Sequence, residues 1–282
     1  MIHEPVLLKE IIALLNLKEG DNAIDATLDG GGHAKAMFES IKPSGKILGI
    51  DQDSEMVKKM NSIKNLVAVT GNFRDIGEIA SRNNFKNPKA ILFDLGLSRW
   101  HLEKSGRGFS FQKPDEPILM QFDAGSQKNA AIILNAYPET ELAEIFKKFG
   151  EVRAPHQIAE KIVFARKRKR IYSVGDLLAI LGIKNKKSLA KIFQALRIAV
   201  NDELAALEEA IQGGFRILVP GGKLAVISYH SLEDRVVKNF FKSEVAKGNA
   251  ENILKKPLAP ALEEISKNPS ARSAKLRVLQ KI

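Results

Sequence analysis

A glycine run and two acidic residues near the N-terminus have the spacing of a nucleoside-binding site. The segment Asp25-Ala-Thr-Leu-Asp-Gly-Gly-Gly-His33 follows a short apolar stretch, and Asp51 ends a second one, 19 positions after Gly32. Glycines let a backbone turn tightly and approach a ligand closely. A carboxylate at the end of the second strand is placed to accept hydrogen bonds from ribose hydroxyls. The pattern therefore predicts a nucleoside cofactor, the alternative being a glycine-rich surface turn with an unrelated Asp.

The glycine spacing also distinguishes between cofactors. A dinucleotide site has the pattern Gly-x-Gly-x-x-Gly, but here Gly30 and Gly32 are followed by Lys35 instead of a third glycine. No Gly-Lys-Ser/Thr of a P-loop and no Tyr-x-x-x-Lys pair for hydride transfer occur. S-adenosylmethionine has no pyrophosphate, so its site needs a ribose carboxylate and a tight loop but no third glycine. We therefore predict a methyltransferase in preference to a dehydrogenase.

Asp94 is the predicted key polar group of the reaction. It begins the motif Asp94-Leu-Gly-Leu-Ser98 at the end of the fourth predicted strand, and this motif resembles the loop with which amino methyltransferases orient the target amine. The carboxylate would either hold the methionine amino group of the cofactor or accept a hydrogen bond from the target amine. Capping of the following helix is the structural alternative.

The elements that must position these residues alternate between strands and helices over roughly the first 95 residues. The predicted strands are 22–27, 46–51, 66–70 and 90–94, and the predicted helices are 34–41, 54–62 and 76–82. Such alternation predicts a parallel sheet with right-handed crossovers, in which ligands bind beyond the carboxyl ends of the strands. The loop 28–33, Asp51, the turn Gly71-Asn-Phe73 and Asp94 would then share one crevice.

A helical stretch interrupts this α/β pattern. Helices are predicted at 129–135, 139–149, 156–166 and 174–181 and from Leu189 onward. An apolar strand at 223–228 resumes the sheet, and 274–281 alternates like a final edge strand. We predict a discontinuous methyltransferase domain, 1–104 and 201–282, that contains an inserted helical domain, 105–200.

Composition limits the class of protein. The chain has 282 residues, of which 44% are hydrophobic, and contains no cysteine. It can therefore bury a sizeable core, but it can form neither a disulfide nor a thiolate metal site. We predict no metal. The N-terminal residues lack the basic start and long apolar block of a signal peptide, so we expect a cytoplasmic protein that does not span a membrane.

The charge of the chain favours a polyanionic partner. The formal net charge is +11, and residues 104–204 contribute 18 Lys and Arg against 11 Asp and Glu, or +7 of that excess. The run Arg166-Lys-Arg-Lys-Arg170 lies in this region. Dense positive charge is what phosphate binding requires, so we expect contact with RNA. A solvated helix end is the alternative.

Several unusual motifs, in order along most of the chain, resemble the RsmH (MraW) family of 16S rRNA (cytosine-N4) methyltransferases. The matching segments are His3-Glu-Pro-Val-Leu-Leu8, Asp25-Ala-Thr27, Gly31-Gly-His33, Gly49-Ile-Asp51, Phe93-Asp-Leu-Gly96, Arg107-Gly-Phe-Ser-Phe111, Phe193-Gln-Ala-Leu-Arg-Ile198 with Asn201, Ser228-Tyr-His-Ser-Leu-Glu-Asp-Arg235, Asn268-Pro269 and Arg272-Ser-Ala-Lys-Leu-Arg277. The resemblance implies a class I (Rossmann-like) S-adenosylmethionine-dependent methyltransferase, in which the inserted helical domain 105–200 would recognise the substrate. It implies methylation of N4 of a cytidine in the decoding region of 16S rRNA, in the cytoplasm. By motif match, the implied cofactor residues are Gly31, Gly32, His33, Asp51, Phe73 and Asp94, with His101 as a further contact.

Other residues are candidates for contact with the RNA or for catalysis. Arg107, Phe109 and Arg197 are candidate RNA contacts. A target cytidine must leave its stack, so Phe109 would stack on a base or instead fill the core. The two arginines would otherwise form ordinary salt bridges. His230, in the segment after the fifth predicted strand, would act in catalysis or cap the next helix.

A few positions depart from the family pattern. Asp29 replaces a glycine, Arg99 and His101 replace a Ser and a Gln, and Leu119 and Gln121 replace an Asp and an Arg. These departures leave a second function open, a non-catalytic RNA-binding or ribosome-assembly protein that keeps the methyltransferase fold. A small-molecule methyltransferase is a third. The expected partner is 16S rRNA or the small ribosomal subunit, and both a monomer and a homodimer are compatible with the sequence.

Overall fold

The computed structural model describes residues 5–60 and 65–282. The end of the predicted helix 54–62 and the first two residues of the motif that begins at position 3 lie outside these ranges. The chain folds into two compact units, Met1–Gly96 with Leu204–Ile282, and Leu97–Glu203. They are called the first unit and the second unit below.

The helices and strands are numbered separately in chain order. They are α1 (Leu8–Leu15), β1 (Asn22–Asp25), α2 (Gly32–Ile41), β2 (Ile47–Asp51), α3 (Ser54–Met60), β3 (Leu66–Thr70), α4 (Ile76–Arg82), β4 (Pro88–Asp94), α5 (Arg99–Glu103), α6 (Ala130–Ala136), α7 (Glu139–Gly150), α8 (Pro155–Arg166), α9 (Val174–Leu181), α10 (Lys186–Asn201), α11 (Glu203–Ile217), β5 (Lys223–Ser228), α12 (Ser231–Ala246), β6 (Ala250–Asn252), α13 (Leu262–Lys267) and β7 (Lys275–Lys281). Within the described ranges, no helix combines the length and apolar character that crossing a membrane requires.

The strands of the first unit form a seven-stranded sheet in the order β3-β2-β1-β4-β5-β7-β6. Strands β1 to β5 are parallel, and β7 is antiparallel to both of its neighbours. This arrangement confirms the predicted Rossmann-like α/β fold. The predicted edge position of β7 is wrong, because β6 pairs with its outer side. Strand β6 has only three residues, Ala-Glu-Asn, which carry little β propensity, so the sequence does not indicate it.

Both faces of the sheet are buried. Along β4, Ile91 and Phe93 pack into one apolar cluster, whereas Ala90 and Leu92 pack into another. Successive side chains of a strand point to opposite faces, so a strand covered on both sides is apolar at every position. This explains why the central strands are continuous apolar runs in the sequence.

The parallel register brings three carboxylates to one edge of the sheet. Asp25 ends β1, Asp51 ends β2 opposite Thr70 of β3, and Asp94 ends β4 opposite Ile227 of β5. Parallel strands end at the same edge, where open α/β sheets bind their ligands. The structure therefore places these acids where the alternation of strands and helices predicts a ligand.

The second unit consists of helices around its own apolar core. On α10, the buried residues Leu189, Ile192, Phe193 and Leu196 recur at helical spacing and form one face. The unit begins at Leu97, whose side chain packs against that core, whereas the predicted insertion covers 105–200. Its role in substrate recognition stays a prediction.

Candidate functional site

The loop after β1 has an unusual backbone. Asp29 has a φ of +41° and Gly31 a φ of +69°, both in the left-handed region. Asp tolerates this region better than most residues, which is consistent with Asp29 at a position where a glycine is expected. A side chain at Gly31 would collide with Met60 Sδ, and one at Gly32 with Pro5 Cγ. The left-handed backbone therefore favours glycine at position 31, and close packing against the Pro5 ring favours it at position 32.

Asp51 connects two loops at the end of β2. Its Oδ2 accepts a hydrogen bond from the amide N–H of Asp29, and its Oδ1 accepts one from that of Asp53, both at 2.8 Å. A carboxylate has about four lone-pair sites, so these two bonds do not exhaust its capacity as an acceptor. The arrangement is compatible with the predicted bonds to ribose hydroxyls.

Asp94 is oriented by a tyrosine that follows β5. The hydroxyl of Tyr229 donates a hydrogen bond to Asp94 Oδ1 at 2.7 Å. Gly96 has a φ of +105°, and a Cβ there would lie 3.3 Å from the Tyr229 ring, so the glycine lets the ring pack against the backbone. The amide N–H of Asp94 donates to Thr27 Oγ1 at 2.6 Å. Ser98, not Asp94, caps α5, so the capping alternative is wrong.

Electrostatics keeps the Tyr229 hydroxyl a donor. Burial and the nearby charge of Asp94 raise the pKa of Tyr229 well above its usual value. The hydroxyl therefore stays protonated at neutral pH and holds one carboxylate oxygen of Asp94 in place. Asp94 itself keeps 20% of its side chain exposed.

His33 lies beside the same carboxylate and is almost fully buried. Its Nε2 lies 3.0 Å from the carbonyl oxygen of Val6, and its Nδ1 lies 3.5 Å from Asp94 Oδ2. A carbonyl oxygen only accepts hydrogen bonds, so Nε2 carries the hydrogen. Burial lowers the pKa of His33 to about 4, which leaves the ring neutral near pH 7. His33 therefore presents a lone pair at Nδ1, not a positive charge, to Asp94.

This neutral histidine predicts a pH dependence of stability. The pKa of His33 is about 4 in the folded chain and 6.5 when exposed, so the unfolded state takes up the proton first. The contribution of His33 to the free energy of unfolding is complete above about pH 6.5 and is lost as the pH falls through 4. The loss amounts to at most about 3 kcal/mol.

Urea unfolding of the wild type and of His33→Gln at a series of pH values tests this expectation. Glutamine keeps an N–H donor for Val6 but does not titrate. The free energy of unfolding of the variant should therefore fall less between about pH 7 and pH 4. An equal pH dependence of the free energy of unfolding in both proteins would contradict a neutral His33 in the folded chain.

Asp25 is a buried acid at the same edge of the sheet. It is 1% exposed, and its Oδ1 accepts a hydrogen bond from the amide of Thr27 at 3.3 Å. Burial raises the pKa of Asp25 well above its usual value, and the charges of Asp94, Asp51 and Asp29 raise it further. The charges of Asp94, Asp51 and Asp29 thus create a negative potential in this region, which favours a cationic ligand.

Phe73 lies beyond the end of β3, in a single 3-10 turn (Phe73–Asp75). The side chain of Asn72 accepts from the amide of Arg74 at 2.9 Å and caps this turn. Asn72 also donates to Gln52 Oε1 at 3.3 Å, which connects the ends of β3 and β2. The Phe73 ring packs edge-on against Phe93, with ring centroids 5.8 Å apart. Phe73 is therefore held next to the strand ends.

His101 belongs to the second unit, whereas the six other predicted cofactor residues belong to the first. It is 6% exposed, and its Nδ1 lies 2.9 Å from Ser98 Oγ. Its ring lies edge-on against those of Trp100, Phe109 and Phe122. These contacts fix the ring within the second unit, and its role as a cofactor contact stays a prediction.

The three predicted RNA contacts all have partners within the second unit. Arg107 donates to the carbonyl oxygen of Phe122 at 2.7 Å. Phe109 is 5% exposed, and its ring stacks on that of Phe122. Arg197 forms a two-pronged ion pair with Glu203, at 2.8 and 2.9 Å. Each side chain therefore has a structural task, and their contacts with RNA stay predictions.

Gln121 also serves the structure of the second unit. It is 6% exposed, and its Nε2 donates to the carbonyl oxygens of Ser126 at 3.0 Å and Ala124 at 3.3 Å. The side chain thus closes its own loop. Gln121, which replaces the Arg of the family pattern, therefore stabilises its own loop.

Sequence reasoning missed Tyr229. The available signal was its position directly after β5, next to His230. The structure confirms the capping alternative for His230, whose side chain accepts from the amide of Glu233 while the Glu233 carboxylate accepts from that of His230. The same carboxylate accepts from the amide of Tyr229 at 2.8 Å. The cap of α12 therefore also fixes the backbone that carries the Tyr229 ring.

Comparison with known proteins covers the whole chain. Residues 1–282 match the model of the MraW methylase family. A relative from Dictyoglomus thermophilum that is named "Ribosomal RNA small subunit methyltransferase H" is 44% identical, over 98% of this chain and 96% of the relative. The relative of the same name from Thermomicrobium roseum is 39% identical, over 99% of this chain and 94% of the relative. The relative of that name from Bacteroides fragilis is 37% identical over 99% of this chain and 97% of its own.

Proposed function

Because the chain belongs to the MraW methylase family, we propose that it transfers a methyl group from S-adenosylmethionine to N4 of a cytidine in the decoding region of 16S rRNA. The observation that carries the proposal is the placement of Asp51 and an oriented Asp94 at the carboxyl ends of two parallel strands in one sheet. The relatives named as small-subunit rRNA methyltransferases support the choice of RNA.

The residues of the first unit fit the cofactor. We assign Asp51 to the ribose hydroxyls, and we assign Gly31, Gly32 and His33 to the side of the methionine part. Phe73 completes the cofactor contacts that we assign in this unit, and His101 is a further candidate in the second unit. The acidic edge favours a ligand that carries a sulfonium and an ammonium group. When bound, S-adenosylmethionine supplies the electrophilic methyl group.

Asp94 is assigned to the target amine. The exocyclic amine of cytosine is a poor nucleophile because its lone pair is delocalised into the ring. The Asp94 carboxylate accepts a hydrogen bond from one N–H of this amine and so turns the nitrogen towards the methyl group, while Tyr229 keeps the carboxylate oriented. Such positioning needs no strong base, since orientation alone can lower the activation free energy by up to about 7–11 kcal/mol.

Tyr229→Phe is expected to lower kcat by more than about tenfold. The variant loses one hydrogen bond to a charged carboxylate, a contribution of about 1.5–3 kcal/mol. The KM for RNA and the Kd for the cofactor should change less than about twofold, because Tyr229 acts on the orientation of Asp94. Steady-state kinetics and calorimetry measure these quantities. Tyr137→Phe, which removes a hydroxyl in the second unit, is the control, and an unchanged kcat in Tyr229→Phe would contradict this role.

Transfer of a labelled methyl group tests the function itself. The protein is incubated with labelled S-adenosylmethionine and either naked 16S rRNA or small subunits, and the nucleosides are identified by mass spectrometry. Labelled N4-methylcytidine from the decoding region is the expected product. Tight RNA binding without transfer to either substrate would favour the non-catalytic alternative.

A further inference from the structure

The second unit carries a strip of positive charge that the proposed methyl transfer does not use. Residues 161–172, called the basic segment below, contain six Lys and Arg and no Asp or Glu. Two of these cations have structural tasks. Arg166 donates to the carbonyl oxygen of Leu134 at 2.8 Å, and Lys169 Nζ lies 2.8 Å from Asp176 Oδ1. They hold the segment on the rest of the unit.

Three other cations of the basic segment face solvent. Lys167, Arg168 and Arg170 are exposed. In the described ranges 5–60 and 65–282, none of the three has an acidic partner. The amides of Arg168 and Lys169 both donate to the carbonyl oxygen of Ala165, so the chain turns immediately after α8. The turn therefore presents a compact group of unneutralised cations.

Two exposed aromatic rings lie in the same segment. Phe164 and Tyr172 are each 59% exposed. The guanidinium Cζ of Arg168 lies 4.9 Å from the centroid of the Phe164 ring, which is the geometry of a cation–π contact. The ring and the guanidinium plane can both stack on a nucleobase. Cations and aromatic rings are thus interleaved over a few residues.

The backbone beneath Tyr172 is fixed. Its amide donates to Asp176 Oδ2 at 3.1 Å, and its carbonyl oxygen accepts from the amide of Ile118 at 2.9 Å. The preceding residue, Ile171, is completely buried. The Tyr172 ring is therefore exposed on a backbone that is already ordered. A partner that binds this ring loses little conformational entropy in ordering the backbone.

These features together select one kind of partner. Exposed cations match a phosphate backbone. Exposed aromatic rings match unpaired bases, whereas a duplex hides the faces of its bases and is recognised by shape and backbone. We propose that the basic segment binds single-stranded RNA, with Lys167, Arg168 and Arg170 at phosphates and with Phe164 and Tyr172 stacked on bases. The inference rests on the proposed function for the identity of this RNA as 16S rRNA.

The first test removes the three charges. Lys167→Gln, Arg168→Gln and Arg170→Gln are combined, and binding of a fluorescent single-stranded decoding-region oligonucleotide is titrated at several salt concentrations. Affinity should fall about tenfold or more at low salt. The slope of log K against log salt should become shallower by about 2, because each lost phosphate contact contributes about 0.7. An unchanged slope would overturn the inference.

A matched control separates local contact from net charge. Lys242→Gln, Lys255→Gln and Lys256→Gln remove the same number of exposed charges from the first unit. This triple variant should bind the oligonucleotide within about twofold of the wild type. An effect as large as that of the first variant would show a general charge effect and would overturn the inference. Thermal unfolding verifies that both variants are folded.

The second test removes the rings but keeps the charges. Phe164→Leu with Tyr172→Leu should weaken binding of the single strand about tenfold with an unchanged salt slope, because stacking involves no counterion release. Binding of the same sequence as a duplex should be insensitive to this change. Equal loss with the duplex, or no loss with the single strand, would contradict stacking. Competition by polyglutamate as strong as that by RNA would indicate an acidic protein partner instead.

Methyl transfer distinguishes this inference from the proposed function. Both variants of the basic segment should raise the KM for RNA and leave kcat and cofactor affinity within about twofold. Wild-type transfer with unaltered RNA binding in the variants would refute the inference and leave the function intact. Weakened RNA binding in the variants, without any transfer by the wild type, would support the inference and refute the function.

Discussion

Asp94→Asn is expected to lower the rate of methyl transfer about 100-fold or more, with cofactor affinity within about threefold of the wild type. The side-chain oxygen of Asn would accept from the Tyr229 hydroxyl, as Asp94 Oδ1 does at 2.7 Å. Its NH₂ group would then occupy the position of Oδ2. An NH₂ group only donates, so it cannot accept the N–H of a cytosine amine. Loss of one such preorganised group typically costs about 10²–10³ in rate.

Single-turnover transfer and calorimetry separate the two roles considered for Asp94. A slow chemical step with normal cofactor binding is the expected outcome. Weak cofactor binding with normal transfer from the saturated enzyme would instead assign Asp94 to the methionine amino group and contradict the proposal. Asp75→Asn, an exposed carboxylate of the same unit, is the control and should behave like the wild type.

Asp51→Ala is expected to weaken cofactor binding by more than about tenfold. The variant loses the predicted ribose contact, and it also loses the acceptor for the amides of Asp29 and Asp53. Part of the effect would therefore come from the two loops that this carboxylate organises. A change in affinity alone cannot separate these contributions.

A double-mutant cycle between the protein and the ligand isolates the ribose contact. S-adenosylhomocysteine and its 2′-deoxy and 3′-deoxy analogues are titrated into the wild type and Asp51→Ala by calorimetry. Removal of a hydroxyl that Asp51 contacts should weaken binding to the wild type but have little further effect in the variant, because the binding free energies lost by removing two groups in contact do not add. Additive losses for both analogues would mean that Asp51 does not bind the ribose.

The positions of Asp51 and Asp94 were accessible to sequence reasoning because they depend on local order. A strand that ends in Asp51 or Asp94 has its carboxylate at the edge of the sheet, whatever the neighbouring residues are. The start of α10 was less accessible. Asn185 caps that helix by accepting from the amides of Lys187 and Ser188, so the helix begins before the first apolar residue, Leu189, from which it was predicted.

The sequence by itself determined the fold class, the two acids at the strand ends and the basic character of the second unit. These properties follow from periodicity, strand polarity and composition, which are read along the chain. The tertiary structure alone decided that Tyr229 orients Asp94 across 135 positions and that Phe109 packs against Phe122 in the core. Such pairings depend on which distant residues packing brings together, and a single sequence does not encode them as a local pattern.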